Sequence, residues 1–88
     1  MQSRTQKYVI PIMDYPIILM PDHSSILNVE TQDYGTFIWA LVDPSQNIVE
    51  RKFRLVAMGH PVKETDLDYI GMVQLTNSDT LHLFELRS

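Results

Sequence analysis

Three basic side chains, Arg51, Lys52 and Arg54, lie within four consecutive positions of an apolar stretch. The guanidinium group of arginine is a planar fork of donors that fits the oxygens of a phosphate, and lysine adds a point charge. Because side chains alternate between the two faces of a strand, Arg51 faces away from the side that Lys52 and Arg54 share. The cluster therefore predicts an anion-binding site in which at most two of the three cations reach one ligand from one protomer.

Ordinary ion pairing is the alternative interpretation of the same three cations. Opposite charges on neighbouring strands attract one another. The acidic residues that we consider as partners are Glu30, Glu50 and Asp43. Ion pairing and ligand binding both fit the residue types.

His60 follows the same stretch, within the tripeptide Gly59-His60-Pro61. An imidazole can donate to a phosphate or to the edge of a base, and it changes charge near neutral pH. The tripeptide also ends the strand sharply. The position predicts either ligand contact or a capping role in the turn.

Aromatic side chains beside turns could stack on a nucleobase, a contact worth about 1–3 kcal/mol per base. Tyr34, between Asp33 and Gly35, and Tyr69, after a polar loop, are the candidates for exposed stacking residues. Trp39 lies in the middle of an apolar run, where we expect it to pack in the core.

No motif for covalent or metal chemistry accompanies these residues. The three histidines, His23, His60 and His82, are far apart in sequence, and no cysteine is present to supply a thiolate. With three glycines in the chain, a glycine-rich phosphate loop is also excluded. The sequence therefore predicts a protein that is not an enzyme, with no catalytic residue, no metal site and no cofactor.

The chain has 88 residues and a formal net charge of −4. This length predicts one domain, residues 1–88, with a thin core, so we expect a homo-oligomer, a dimer or higher, to add burial. The negative charge argues against DNA or RNA polymers, which require a basic face. No apolar run approaches the roughly 18 residues of a membrane span and no signal-peptide pattern is present. We therefore expect no membrane association and a cytoplasmic location.

Short apolar runs separated by turn residues are the elements that must position these groups. The runs are rich in β-branched and aromatic residues. This spacing predicts an all-β fold, a small antiparallel sandwich or partly open barrel of about seven short strands arranged as meanders. The predicted strands cover residues 7–12, 15–20, 25–32, 36–42, 48–58, 69–76 and 80–86.

Single residues refine this pattern. Pro16 removes a ladder donor, so its strand should lie at an edge or begin late. Gly71 predicts a bulge or a close approach of two chain segments. Residues 43–47 are predicted to form a hairpin loop. Pro61 and the acidic residues after it predict one short helical turn over 61–68.

Five sequence blocks together carry a family resemblance. They are YVIPIMDYPIILMP at 8–21, FIWALVDP at 37–44, RKFRLVAMGHP at 51–61, YIGMVQL at 69–75 and HLFE at 82–85. Their order resembles a widespread family of small phage and prophage proteins of unknown function. The family pattern has Gly-Thr-Gly before the His-Pro and Thr after YIG, where this chain has Ala57-Met58-Gly59 and Met72. A pocket built on those backbone positions would differ accordingly.

The resemblance implies an accessory protein that a phage expresses in the cytoplasm of an infected bacterium. Proteins of this kind often neutralise host defence, and one class, the anti-CBASS sponges, sequesters cyclic nucleotide immune signals. The chain would then bind a cyclic dinucleotide such as cGAMP without cleaving it. A symmetric homo-oligomer would present the basic cluster twice, matching the two phosphates. The residues assigned to this ligand are Arg51, Lys52, Arg54 and His60 for the phosphates, and Tyr34 or Tyr69 for a base.

Two other functions fit the same residues. An acidic β protein can cap a basic surface or add a strand to an exposed edge, which would make it a protein–protein inhibitor of a host defence enzyme. A virion or assembly accessory protein is the other possibility.

Overall fold

Seven β-strands make up the regular structure of the protein. The computed structural model describes residues 3–32, 35–75 and 79–87, and that part of the chain contains no helix. No helix long and apolar enough to cross a membrane is therefore present among the described residues. The strands are β1 (Arg4–Val9), β2 (Ile17–Pro21), β3 (Ser25–Gln32), β4 (Gly35–Val42), β5 (Ile48–Ala57), β6 (Leu67–Gln74) and β7 (Thr80–Leu86). The predicted all-β class is confirmed.

The strands form two antiparallel sheets that stack as a sandwich and do not close into a barrel. One sheet has the strand order β1-β4-β3, and the other has the order β2-β5-β7-β6. The core between them is made of alternate residues from each strand. Phe53 of β5, Ile38 of β4 and Leu83 of β7 are completely buried there. The strand β5 runs through the interior of its sheet, between β2 and β7, and it carries the basic cluster.

Two predictions from single residues are confirmed. The strand β2 begins at Ile17, directly after Pro16, and lies at an edge of its sheet. The register between β6 and β7 shifts between Tyr69 and Gly71, which marks a bulge. A Cβ atom on Gly71 would lie 2.8 Å from Cγ1 of Val29, so the absent side chain allows β6 to approach β3 closely.

Two features of the predicted connectivity are wrong. Among the described strands, β3–β4 and β6–β7 are the sequential pairs that are also neighbours in a sheet, so the fold is not a series of meanders. Residues 43–47 connect β4 to β5, which lie in different sheets, and form a crossover turn instead of a hairpin loop. Alternating apolar residues predict that a strand is half-buried, but they do not specify which strand pairs with it.

The predicted helical turn over 61–68 is also wrong. The strands β5 and β6 each pair antiparallel with β7, so they run parallel to one another. Residues 58–66, which we call the return segment, must therefore travel back along the length of the sheet. Extended chain covers about 3.3 Å per residue and a helix covers about 1.5 Å. A segment this short has to be extended, and residues 60–65 have no regular structure.

Candidate functional site

The basic cluster is divided between two cavities. Arg51 and Lys52 line one of about 440 Å³, which we call the Arg51 cavity. Arg54 and His60 line another of about 490 Å³, which we call the Arg54 cavity. At about 3.3 Å per residue, the Cα atoms of Arg51 and Arg54 are roughly 10 Å apart along β5. The structure brings Arg54 and His60 together and separates them from Arg51 and Lys52.

The side chain of Arg51 is already occupied by contacts within the protein. Its Nε and Nη2 donate to the two carboxylate oxygens of Glu85 on β7, the latter over 2.9 Å. Its Nη1 donates to the main-chain oxygen of Ser24 over 2.8 Å. The hydrogen bonds to Glu85 raise the pKa of Arg51 above its ordinary value. This geometry is that of a structural cross-link, because few donors remain for a ligand.

The Arg51 cavity carries charges of both signs, which cancel. The charged residues in its walls are Arg51, Lys52, Arg87, Glu50, Asp68 and Glu85. The Nε of Arg87 donates to Asp68 over 2.8 Å. Lys52 is exposed and belongs to none of the ion pairs found among the described residues. One unpaired lysine among balanced charges offers little attraction for an anion.

The ion pairs of the cluster use partners other than those predicted. Arg51 pairs with Glu85, and Arg54 pairs with Glu64. The predicted partners Glu30, Glu50 and Asp43 make no ion pair with these arginines in the described part of the chain. The strand β5 lies between β2 and β7, so Glu30, on β3 of the other sheet, is out of reach. Asp43 instead accepts hydrogen bonds from Ser45, which lower its pKa.

The Arg54 cavity combines an apolar wall with Arg54, His60 and the exposed carboxylate of Asp14, one oxygen of which lies 3.9 Å from Nη1 of Arg54. It lies where residues 12–14, the second half of β5 and the turn at 60–61 meet the ends of β6 and β7. Its apolar lining includes Ile12, Leu55, Val56, Leu75 and Leu81. A cavity of about 490 Å³ lies within the roughly 300–1,000 Å³ typical of small-molecule sites. A ring and an attached anionic group are the chemistry that such walls can accommodate.

Arg54 is held in place at this cavity. Its Nε donates to Glu64 over 3.0 Å and its Nη1 donates to the main-chain oxygen of Leu55 over 2.6 Å. The guanidinium carbon lies 4.7 Å from the centre of the Tyr15 ring, which is cation–π geometry. Nη2 makes no hydrogen bond to a described residue. A positioned guanidinium with one terminal nitrogen free can donate hydrogen bonds to an anion.

Glu64 receives a second hydrogen bond, from the hydroxyl of Tyr15 over 3.0 Å. Its carboxylate therefore bridges Tyr15 and Arg54 at the side of the cavity. Loss of solvent acts to raise the pKa of Glu64, but the hydrogen bonds from Tyr15 and Arg54 and the charge of Arg54 outweigh it. The net result is a pKa below the ordinary value, so Glu64 is ionised at neutral pH.

His60 takes part in the turn and also lines the cavity. Its main-chain N–H donates to the oxygen of Ala57 over 3.0 Å. Gly59 has a φ of 83°, a conformation that favours glycine. His60 lines the Arg54 cavity and also an adjoining depression of about 470 Å³ that includes Asp79. The turn role is confirmed for the backbone, and ligand contact by the imidazole stays a prediction.

The predicted stacking residues lie outside both cavities or outside the described residues. Tyr69 is 55% exposed and lines neither cavity. Its hydroxyl is 3.1 Å from Nδ1 of His82, and its ring packs edge-on against Phe84 at 5.3 Å between centres. Tyr34 falls outside the described residues.

Trp39 does not lie in the core, contrary to the prediction. Completely buried Ile38 points between the sheets, so alternation places Trp39 on the outer face of the three-stranded sheet, where it is half-buried. The ammonium of Lys7 lies 5.8 Å from the Trp39 ring centre and 4.5 Å from that of Phe37. An apolar run in a central strand places apolar side chains on both faces of the sheet. On the outer face of β4, Lys7 covers these side chains.

No group of three or more metal-ligating side chains lies close enough together to hold a metal ion within residues 3–32, 35–75 and 79–87. His82 contacts Tyr69, and His23 pairs with the adjacent Asp22. His60 is the histidine that lines the Arg54 cavity.

Sequence reasoning missed Tyr15 and Glu64, the two residues that complete the surroundings of Arg54. The N–H groups of Phe53 and Leu55 donate to the oxygens of Pro16 and Asp14, so the chain before β2 continues along β5. This pairing brings Tyr15 to Arg54. The sequence did contain one signal for Tyr15. Because β2 begins after Pro16, the residues just before Pro16 lie beside the strand that pairs with β2.

The family model described as "Domain of unknown function (DUF7352)" matches residues 1–88, so the chain belongs to that family. The comparisons with curated proteins and with solved structures gave no match.

Proposed function

We propose that this member of a family of unknown function binds a small anionic ligand carrying a ring, of the nucleotide class, in the Arg54 cavity and does not cleave it. The observation that carries the proposal is the position of Arg54. Its side chain is 14% exposed, its guanidinium is fixed by neighbouring groups, and it borders a largely apolar space that His60 also lines. Arg51 is not part of this proposal, because Glu85 and Ser24 use its donors.

The two parts of a nucleotide match the two kinds of wall. A phosphate would accept hydrogen bonds from Nη2 of Arg54 and from the imidazole of His60. The bond from arginine is charge-assisted, and so is the bond from histidine when the imidazole is protonated. The base would pack against the apolar side formed by Ile12, Leu75 and Leu81. Binding of this kind uses no nucleophile and no metal.

The finer form of the proposal is sequestration of a cyclic dinucleotide immune signal, such as cGAMP, by a phage protein in the host cytoplasm. It follows from the resemblance to small phage proteins, and the cavity chemistry is compatible with it. A cyclic dinucleotide has two phosphates, and the Arg54 cavity of each copy offers one positioned arginine. A homo-oligomer would supply the second arginine, and Lys52 or Tyr69 would contact the ligand from the other copy.

A thermal-shift screen against cyclic di- and trinucleotides, followed by calorimetry, tests the proposal. A ligand that binds only the folded state adds about 4 kcal/mol at 1,000 times its Kd, which is several degrees in Tm for a domain of this size. The matched variants are Arg54→Met, which should lose the shift, and Arg87→Met, an ion-paired arginine outside the cavity, which should keep it. Equal binding by Arg54→Met would remove the cavity assignment.

The same samples decide between binding and catalysis. Nucleotide recovered after heat denaturation should be chemically intact, and any product would show an enzyme. No shift with any nucleotide would overturn the nucleotide proposal and favour the second candidate.

The second candidate is inhibition of a protein partner, and one observation favours it. The strand β2 forms an edge of its sheet, and on it Ile17 and Leu19 are 51% and 59% exposed. An unpaired edge with apolar side chains can accept a strand from another protein. This candidate predicts that Leu19→Lys abolishes capture of the partner, whereas Arg54→Met does not.

A further inference from the structure

The carboxylate of Glu64 is bound as an anionic ligand would be. Its Oε1 accepts from Nε of Arg54 over 3.0 Å, and its Oε2 accepts from the hydroxyl of Tyr15 over 3.0 Å. Each oxygen thus has its own donor, and the donors come from two different segments of the chain. The side chain of Glu64 is 16% exposed, so most of its surface is covered by these neighbours.

The donors are positioned without help from Glu64. Tyr15 lies between Asp14 and Pro16, whose oxygens accept from the N–H groups of Leu55 and Phe53 over 3.0 and 2.9 Å. Nη1 of Arg54 is fixed by the main-chain oxygen of Leu55, and the Tyr15 ring packs against the guanidinium. These two side chains, which we call the Arg54–Tyr15 cradle, therefore have contacts with the sheet and with each other that do not involve Glu64.

Glu64 itself lies on a segment with few other attachments. The backbone bonds of the return segment lie near its ends, from Met58 to Thr80, from His60 to Ala57 and from Arg87 to Asp66. Between residues 61 and 65, all of them described, the side chain of Glu64 makes the hydrogen bonds that connect the segment to the sheet. Releasing one carboxylate would free this part of the return segment.

We propose that the Arg54–Tyr15 cradle is an anion-binding site that Glu64 fills from within the chain, and that an external carboxylate or phosphate binds there by displacing Glu64. The ligand identity rests on the proposed function, but the existence of the site does not. The exchange replaces one anion by another, so it leaves no buried guanidinium without a counter-charge. A phosphate would also reach Nη2 of Arg54 and would compete by its higher charge.

The first test is chemical rescue of Glu64→Ala. Acetate, compared with chloride at the same ionic strength, should raise the Tm of Glu64→Ala and leave that of the wild type unchanged. The double variant Glu64→Ala/Arg54→Met should not respond, because it lacks the cradle. A Tm of Glu64→Ala that does not depend on acetate would overturn the proposal. If Glu64→Ala does not fold, Glu64→Ser, whose short side chain also leaves the cradle empty, replaces it in every comparison.

The second test measures competition with inorganic phosphate, using NMR shifts of the Arg54 Nε–H and of neighbouring amides. Removal of Glu64 should tighten phosphate binding about tenfold, within the usual range of coupling between two ligands. Equal affinity for phosphate in the wild type and in Glu64→Ala would contradict the proposed competition with Glu64. Acetate rescue without nucleotide binding would remove only the proposed function, whereas nucleotide binding without rescue or competition would remove only this inference.

Discussion

Two arginines on the same strand form ion pairs of similar burial but of different origin. The side chains of Arg51 and Glu85 are 21% and 15% exposed, and those of Arg54 and Glu64 are 14% and 16% exposed. Glu85 lies on β7, whose residues 81–85 pair with residues 53–57 of β5, whereas Glu64 lies on the return segment. Burial and pairing are therefore alike, and the element that carries the carboxylate is what differs.

This difference separates a structural pair from an exchangeable one. The backbone of Glu85 cannot move away from Arg51 unless β7 leaves β5, which would expose the core residues Phe53 and Leu83. To release Glu64, only residues 61–65 need to move. An ion pair in a small protein is thus better judged by what else must move when it opens than by its distance or its burial.

The largest expected effect comes from Arg51→Met. This change leaves the half-buried carboxylate of Glu85 without its partner, which should cost up to about 3 kcal/mol, the lower end of the range for a fully buried pair. Urea unfolding at pH 7 should show a clearly lower midpoint with an unchanged slope. Arg51→Met/Glu85→Leu should recover most of the loss, and a double variant no more stable than the single one would contradict this account.

Arg54→Met should cost less, about 1 kcal/mol, because Glu64 can move into water when its partner is lost. The same unfolding experiment provides the measurement, with Arg51→Met beside it. A loss as large as that of Arg51→Met would break the comparison, since it would show that the return segment is as firmly held as β7.

Acid should remove the stabilisation that Glu64 contributes. The pKa of Glu64 is lowered in the folded protein, so its stabilisation is present above the ordinary value of 4.5 and is lost as pH falls through the folded-state value. The stability difference between wild type and Glu64→Gln should be full at pH 7 and should shrink as the pH is lowered below 4.5. Asp43, whose pKa is also lowered, titrates in both proteins and cancels in the difference. A difference that does not change with pH would contradict an ionic role for Glu64.

The smallest effect is expected for Lys52→Ala, within about 0.5 kcal/mol of the wild type. Lys52 is exposed and has no ion pair in the described part of the chain. The affinity of Lys52→Ala for the ligand also distinguishes the two cavities. Unchanged affinity would place the ligand in the Arg54 cavity of one copy, and weakened affinity at unchanged stability would indicate a contact from a second copy.

The fold was predictable from sequence to the extent that local pattern determines it. The strands at 25–32 and 80–86 have the predicted bounds, because turn residues mark both ends of the first and the start of the second. The pairing of strands was not predictable, because alternation gives the faces of a strand but not its neighbours. The contact between Tyr15 and Glu64 joins residues 49 positions apart through a segment with no regular pattern. Of the predicted cluster, Arg54 lines the Arg54 cavity with His60, whereas Arg51 and Lys52 line the Arg51 cavity, because β5 has different surroundings every few residues. Ligand binding by these residues stays a prediction.

The position of β7 also has a consequence for how the chain folds. The return segment joins β5 to β6, but β7 lies between these two strands in the sheet. A gap of two strand spacings, each about 4.8 Å, therefore separates β5 from β6 until β7 occupies it. The hairpin of β6 and β7 is the local unit, and we expect it to form first and to dock onto β5 as one body. Non-local docking of this kind is slow, in the millisecond to second range. The ion pair of Arg51 with Glu85 would then form when β7 docks onto β5. The ion pair of Arg54 with Glu64 on the return segment would form afterwards, as the last contact of the folding reaction.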